Sequence, residues 1–466
     1  MEKANSVKKI TELIRNSNDE FIENELRPFL RIPSNTLNSE GIFKAKDFLL
    51  SYISDFCEEI KEFKGEINPL ILAKVDGVIE KSLLIYMMYD TQPINNEKEW
   101  ISNPFAAEVH ILPPPLDVLG DCIIARGAYN SKTPLLCFLN VVKELKKKDE
   151  LPISLLLLFD GEEEIGSLGL LRFLEENKNI FKDCVDVYYP AVKQDLNGNS
   201  VLKLGYKGIL SITIKVTSQN KEPHSAFSAM VPNPAVDLVS LINTIFSNNV
   251  YQIECLNKAY EISEDDQLLI DTLMRTIDFE KIKEKAGILK TRERVPKKAF
   301  INYLFGPTFN ISTLKSGFLE EGSKNYIPNE AMCNVDIRFA HDISVNALFQ
   351  EIKEKINIFS KGTQSEIELI RNVGYESSRV NKESILVKTI IESTKKLDIQ
   401  TVIWPISAAA APLSMIQRKL GLNFIVGGLG IGGYAHAPNE FIQYDSIINT
   451  RLANYHFIRI YSKSNK

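Results

Sequence analysis

Three consecutive carboxylates, Glu162, Glu163 and Glu164, follow the run Ile153–Phe159 and the pair Asp160-Gly161, and stand just before Gly166-Ser167. Adjacent carboxylates can divide a task, one taking a proton from water while its neighbour holds a cation. A plainer use is open to them as acids at the start of a helix, favoured by its dipole and bonded to backbone amides. Asp90 ends a second apolar run, Ser82–Tyr89, and His436 follows the glycine-rich Gly427–Gly433. His436 is of a type that ligates metal or rests as a hydrogen-bonded buried imidazole. His224, in Pro-His-Ser-Ala-Phe227, either meets a substrate or orients its own loop. The chain has only five histidines, so few metal sites are possible.

The elements that must position these groups are legible in the apolar pattern. Ile153–Leu158 is apolar but for Ser154 and reads as a strand buried on both faces of a parallel sheet. Open α/β sheets bind ligands at the carboxyl ends of such strands, which is where the three glutamates lie. Helix candidates follow at 134–146 and 168–174, with a strand candidate at 185–189. Residues 5–31 read as one amphipathic helix that Pro28 kinks or ends. From about residue 208 the texture changes. Ile209–Val216 and Ala331–Phe339 alternate apolar and polar residues as half-exposed antiparallel strands do. With helices at 234–246 and 345–358 they predict a small inserted α+β domain. Beyond 375 the doubly wound pattern resumes, with helices at 384–397 and 412–420 and strands at 401–404 and 423–426.

The 466 residues exceed one comfortable core, and their net charge of −5 argues against nucleic acid or an anionic membrane as partner. The start of the sequence lacks the basic-then-apolar pattern of a signal peptide, and no apolar run approaches the ~20 residues needed to span a bilayer. Six scattered cysteines without Cys-x-x-Cys spacing fit thiols in a reducing compartment. A cytoplasmic protein is expected.

Taken together, the blocks resemble the co-catalytic zinc metallopeptidase and deacylase family, nearest its dipeptidase branch. They are Leu84–Pro93, Trp100 with Asn103-Pro-Phe105, Ala125–Lys132, Asp160–Ser167, Pro223–Phe227, Gly322–Pro328, Asp336–Phe339 and Ala435–Glu440. The resemblance implies a zinc-exopeptidase-like α/β fold, with a doubly wound, mostly parallel sheet in residues 1–207 and 376–466. It implies a ferredoxin-like lid and dimerisation domain in 208–375. By position Glu163 matches the general base, and Glu164 and His436 match metal ligands. His224 matches a residue that reaches the partner subunit's active site, Asn325 and Arg338 match substrate contacts, and Asp90 matches a residue that steadies a histidine ligand.

The departures fall on the chemistry itself. Met88 stands where the family has a histidine ligand, and Asn130 where it has the bridging aspartate. No acid stands at Ala191 or Val192, and Ile406–Pro412 lacks the arginine that holds a substrate carboxylate. A thioether and a neutral amide are weak ligands for zinc. A two-metal centre is therefore not expected, and zinc is expected at zero or one per chain, held by Glu164, His436 and Asn130 or Asp90. The first reading is a catalytically impaired relative with a binding, regulatory or scaffold role. The alternative is an active dipeptidase or amidohydrolase with one metal or rearranged ligands. A small peptide or N-acyl amino acid is the expected ligand, and a homodimer, or a hetero-oligomer with an active paralogue, the expected assembly.

Overall fold

The structure, a computed structural model, describes residues 2–258, 260–285, 287–411 and 414–464. It divides into two compact units, one of Met1–Leu204, Val380–Trp404 and Ile416–Lys466, the other of Gly205–Arg379 and Pro405–Met415.

The first unit is built on a six-stranded sheet. Its order is Glu59–Lys64, Pro69–Val75, Ile153–Asp160, Ile79–Met88, Cys184–Pro190 and Asn423–Gly427. The last four run parallel, and the first two extend the sheet antiparallel. Ile153–Asp160 is buried along its whole length, as a strand covered on both faces must be. Helix Lys132–Lys146 lies against strands Ile79–Met88 and Cys184–Pro190, and helix Ile447–Ser464 packs on it. The fold is thus doubly wound and mostly parallel. Register sets Met88 beside Asp160 and Pro190 beside Gly427, so the carboxyl ends of all four parallel strands share one edge.

A smaller antiparallel sheet pairs Asp121–Ile124 with Phe441–Gln443, setting Phe441 opposite Ile124. This joint brings the loop after Ile124 against Glu440.

Two sequence expectations are corrected here. Residues 5–31 are not one straight helix: helix Glu2–Asn16 stops at Ser17, and a second run from Asn18 to Leu30 contains a π-helical turn at Ile22–Leu26. The π-helical turn runs directly into Arg27 and Pro28, whose missing N–H removes one backbone bond from the run, and the helix ends two residues later at Leu30. Strand Thr401–Trp404 does not join the main sheet. It pairs with Ser200–Lys203 as a separate two-stranded ladder, because Asn423–Gly427 already occupies the edge of Cys184–Pro190. The helix expected from Pro412 is observed over Ser414–Leu420, and Pro412 itself lies outside the described residues.

The second unit carries an antiparallel sheet in the order Thr308–Ser316, Glu330–Phe339, Gly205–Thr217, Glu366–Tyr375. The alternating residues Leu210, Ile212, Ile214 and Val216 turn to one side, where they meet Leu238 and Leu241 of helix Pro234–Ile245 and Leu348 and Ile352 of helix Val345–Ser360. Segment Ser407–Ala410 pairs with Tyr206 and Lys207, which is why residues 405–415 belong to this unit. No described helix is long and apolar enough to cross a membrane.

Candidate active site

The three glutamates of the acidic turn have three different surroundings. Glu162 is fully buried, and its carboxylate accepts backbone N–H groups from Ile67, from Asn68 at 2.7 Å and from Gly169 at 3.1 Å. The amide-bonded role expected for Glu163 and Glu164 thus belongs to Glu162. Residues Glu163–Ile165 form one 3-10 turn, and the following helix starts only at Leu168. Asp160, also fully buried, accepts from Tyr86 Oη at 2.9 Å, Ser167 Oγ at 2.6 Å and the Glu162 amide at 2.9 Å. Burial pushes its carboxyl up to about 6, against the pull of those donors.

Asp90 holds the turn from the neighbouring strand. Its Oδ1 accepts the Glu163 amide at 3.2 Å, and its Oδ2 accepts the Glu164 amide at 3.1 Å and Thr36 Oγ1 at 2.9 Å. Burial raises the Asp90 carboxyl well above the ordinary range, and the charges of Asp160 and Glu164 add to this. Glu163 is raised well above its range by the same causes, burial first and then Glu164, Asp90 and Asp160.

Glu164 is the meeting point. Its Oε1 accepts Asn130 Nδ2 at 3.0 Å, and its Oε2 lies 2.9 Å from Gln92 Nε2 and 3.2 Å from His436 Nε2. Asn130 Nδ2 also lies 3.2 Å from His436 Nε2. The Glu164 side chain is 3% exposed and that of His436 53%, so the carboxylate is enclosed and the imidazole stands at the mouth. The bond to Glu164 raises the imidazole above its ordinary value. Tyr434, His436 and Asn439 all adopt left-handed φ of 59–65°. For residues other than glycine, and Tyr434 and His436 above all, this is a strained backbone, of a kind that collects at functional sites.

Glu440 holds this arrangement from below. It is 1% exposed. Its Oε2 accepts Arg126 Nη1 at 2.7 Å and the Gly127 amide at 3.1 Å, while its Oε1 accepts the amides of Tyr129 at 3.0 Å and Asn130 at 2.8 Å. One carboxylate thereby fixes the backbone that carries Asn130 to the segment that carries His436. Sequence reasoning gave no role to Glu440, Glu162 or Gln92. The one available signal for Glu440 was its place in the Ala435–Glu440 block.

The remaining predicted residues fall in two places. Met88 is buried as the last residue of its strand, and Ala191 and Val192 are buried apolar residues past Pro190. In the second unit His224 Nδ1 accepts the Ala226 amide at 3.1 Å, so it caps its own turn. Ser225 N donates to Asn325 O at 3.2 Å, and His224 bridges Tyr326, which brings His224 and Asn325 together. Arg338 stands apart from them on strand Glu330–Phe339, opposite Thr308 and Ile209.

Residues 84–459 match the model of "Peptidase family M20/M25/M40". The chain belongs to that family. The Cys-Gly metallodipeptidase dug1 of Schizosaccharomyces pombe is 25% identical over 375 residues, covering 75% of each chain. The human Beta-Ala-His dipeptidase is 23% identical over 309 residues, 64% of this chain and 58% of that one. Among solved structures, the M20 family metallo-carboxypeptidase Sso-CP2 of Sulfolobus solfataricus superposes with a TM-score of 0.83 at 29% identity, covering 94% of this chain and 98% of that one.

An M20 fold implies metal, and the donors present decide how much they fit. Among the described residues no three His, Cys, Asp or Glu side chains are grouped to hold a metal ion. Met88, Asn130, Ala191 and Val192 supply a thioether, an amide and hydrocarbon, which hold zinc weakly or not at all. Glu164 and His436 offer a carboxylate and an imidazole side by side, and a half-turn of the Asn130 amide presents Oδ1 in place of Nδ2. The surrounding charge favours a cation too, for Asp90, Asp160, Glu163 and Glu164 crowd one strand edge.

Proposed function

We propose that the protein is a hydrolase of small peptides, working with at most one divalent metal ion held by Glu164, His436 and Asn130. The observation that carries this reading is the meeting of Glu164, Asn130 and His436 within 3.2 Å of one another, beside Glu163, at the carboxyl edge of a parallel sheet. The named relatives support a peptidase of dipeptides, and they lend no support to an inactive relative. A cation bound there supplies polarisation of a scissile carbonyl or of a water molecule.

The chain's own residues do the rest. Glu163 is placed to take a proton from the attacking water and return it to the leaving amine. Asp90 fixes Glu163 and Glu164 through their backbone amides, so the two carboxylates keep their separation as charge moves. Gln92 orients Glu164. In this reading residues 208–375 serve as a lid and dimerisation domain, with His224, Asn325 and Arg338 contacting substrate.

Metal analysis and hydrolysis assays on Cys-Gly and β-Ala-His test the reading together. At most one tightly bound zinc or manganese ion per chain is expected, with amine release that depends on it. Two tightly bound ions per chain would refute the one-metal assignment. No turnover of either dipeptide at saturating metal would leave a peptide-binding relative as the better description.

A further inference from the structure

Past the carboxyl end of strand Cys184–Pro190 the chain turns back on itself into strand Ser200–Lys203. Gln194 and Ser200 form an antiparallel bridge, flanked by Val201 N to Lys193 O at 2.7 Å and Asp195 N to Asn199 O at 2.9 Å. This register sets Lys193 opposite Val201. Alternate residues of a strand share a face, so Lys203 leaves the ladder on the same side as Val201 and therefore on the same side as Lys193. Diagonal neighbours of this kind lie roughly 7–8 Å apart at Cα, within reach of two long side chains. On the far side of Ser200–Lys203, the parallel strand Thr401–Trp404 puts Val402 beside Val201 and Trp404 beside Lys203. One face of the first unit thus presents two lysines set among Val201, Val402 and Trp404, all of them half-buried.

Among the described residues neither ammonium has a counter-charge. Among the described residues no ion pair or hydrogen bond involves Nζ of Lys193 or Lys203. Burial lowers the basicity of both, and Lys203 is lowered to about 8 by burial and then by the charge of Lys193. The fully buried cations of this unit each have a partner. Lys132 Nζ meets the carbonyls of Phe29 and Ile32 at 3.1 and 2.6 Å, Arg126 meets Glu440, and Arg451 meets Asn140, Asn18, Ser17 and the Ile14 carbonyl. Two like charges held together in partial dryness without a partner destabilise the fold, and an anion placed between them removes both penalties.

We infer that Lys193 and Lys203 form a binding site for a small organic anion, with the two ammonium groups on its carboxylate and Trp404, Val402 and Val201 against its apolar part. The apolar neighbours favour an organic carboxylate over inorganic phosphate, which gains nothing from them. The site begins one residue past Val192, beyond the carboxyl end of strand Cys184–Pro190, and it stands whether or not the acidic turn hydrolyses a peptide.

Thermal melting and titration calorimetry of the full chain test it without any reading of turnover. The probes are hippurate, succinate and inorganic phosphate, each at an ionic strength held constant with chloride. Hippurate is expected to raise the melting temperature saturably and to bind more tightly than phosphate. Lys193→Met and Lys203→Met are each expected to weaken hippurate about tenfold or more, a loss of roughly 1.4 kcal/mol. Without ligand both variants are expected to melt no lower than the parent, because each removes an unpaired charge; a lower melting point would show that the charge is satisfied within the fold and would overturn the site. It is overturned equally if neither carboxylate gives a saturable shift, if the double variant binds hippurate as the parent does, or if phosphate binds more tightly than both carboxylates.

Discussion

Arg126 Nη1 lies 2.7 Å from Glu440 Oε2 in an ion pair whose side chains are 2% and 1% exposed. The guanidinium also lies over the Trp100 ring, 5.3 Å from its centroid. Removing one member of such a pair leaves the other charge buried and uncompensated. Glu440→Gln is therefore expected to destabilise the chain by about 3 kcal/mol or more, measured by urea denaturation. An amide also turns N–H toward the backbone donors of residues 127–130. Loss of the Asn130–His436 contact, read from the His436 ring signals in NMR, should accompany the loss of stability.

Glu162 gives a prediction of the same kind with a different partner set. Its carboxylate accepts three backbone amides from two other segments. Glu162→Ala is expected to cost about 3 kcal/mol, because three buried N–H groups lose their acceptor. Glu162→Gln is expected to cost less, since one oxygen remains. Equal stability of all three proteins would contradict the latch.

Asn130→Asp is expected to raise zinc affinity about tenfold or more, because a carboxylate then faces the cation beside Glu164. Without metal the same variant is expected to melt lower than the parent, as it replaces a donor to Glu164 with a like charge. Calorimetric titration of zinc and melting curves with chelator check the two halves. Adding Met88→His should raise the number of ions bound.

Glu163→Gln separates base from ligand. If Glu163 moves the proton, kcat is expected to fall by about 10²–10⁴ while KM stays close to that of the parent. A parallel loss of metal would instead place Glu163 among the ligands.

His456 lies half-buried in the C-terminal helix, where burial, with the charges of Lys396 and Arg459, pushes its imidazole down to about 4. In the unfolded chain it takes its proton near ~6.5, so between these values the unfolded state binds more protons. Its contribution to stability is complete above that window and is lost as pH falls through it. His456→Gln should flatten the acid limb of a stability profile recorded from pH 7 to 4.

The parallel sheet was legible because its signal is local. Ile153–Leu158 and Ser82–Tyr89 are apolar on both faces, and their shortness favours a buried strand over a buried helix. The alternation in 209–216 and 331–339 identified the second unit for the same reason. Thr401–Trp404 was misplaced because a short strand carries no mark of which neighbour it will pair with. The N-terminal helix was drawn too long because its apolar spacing continues through a π-turn that shifts the register without breaking the pattern.

For the site, the sequence by itself determined which residue types stand at each strand end. It supplied Glu163 and Glu164, the family, and the replacements at Met88 and Asn130. It could not divide the three glutamates among their tasks, since adjacent carboxylates are alike until something binds them. Only the fold decided that Glu162 faces the amides of residues 67–68 and 169, that Glu164 faces Asn130 and His436, and that Glu440 clamps the loop between. Apart from Glu162–Gly169, those assignments depend on contacts between segments from 34 to 314 residues apart, the spacings of Asn130–Glu164 and Arg126–Glu440. Residue order carries no record of such contacts until burial and hydrogen-bond satisfaction select one arrangement of the chain.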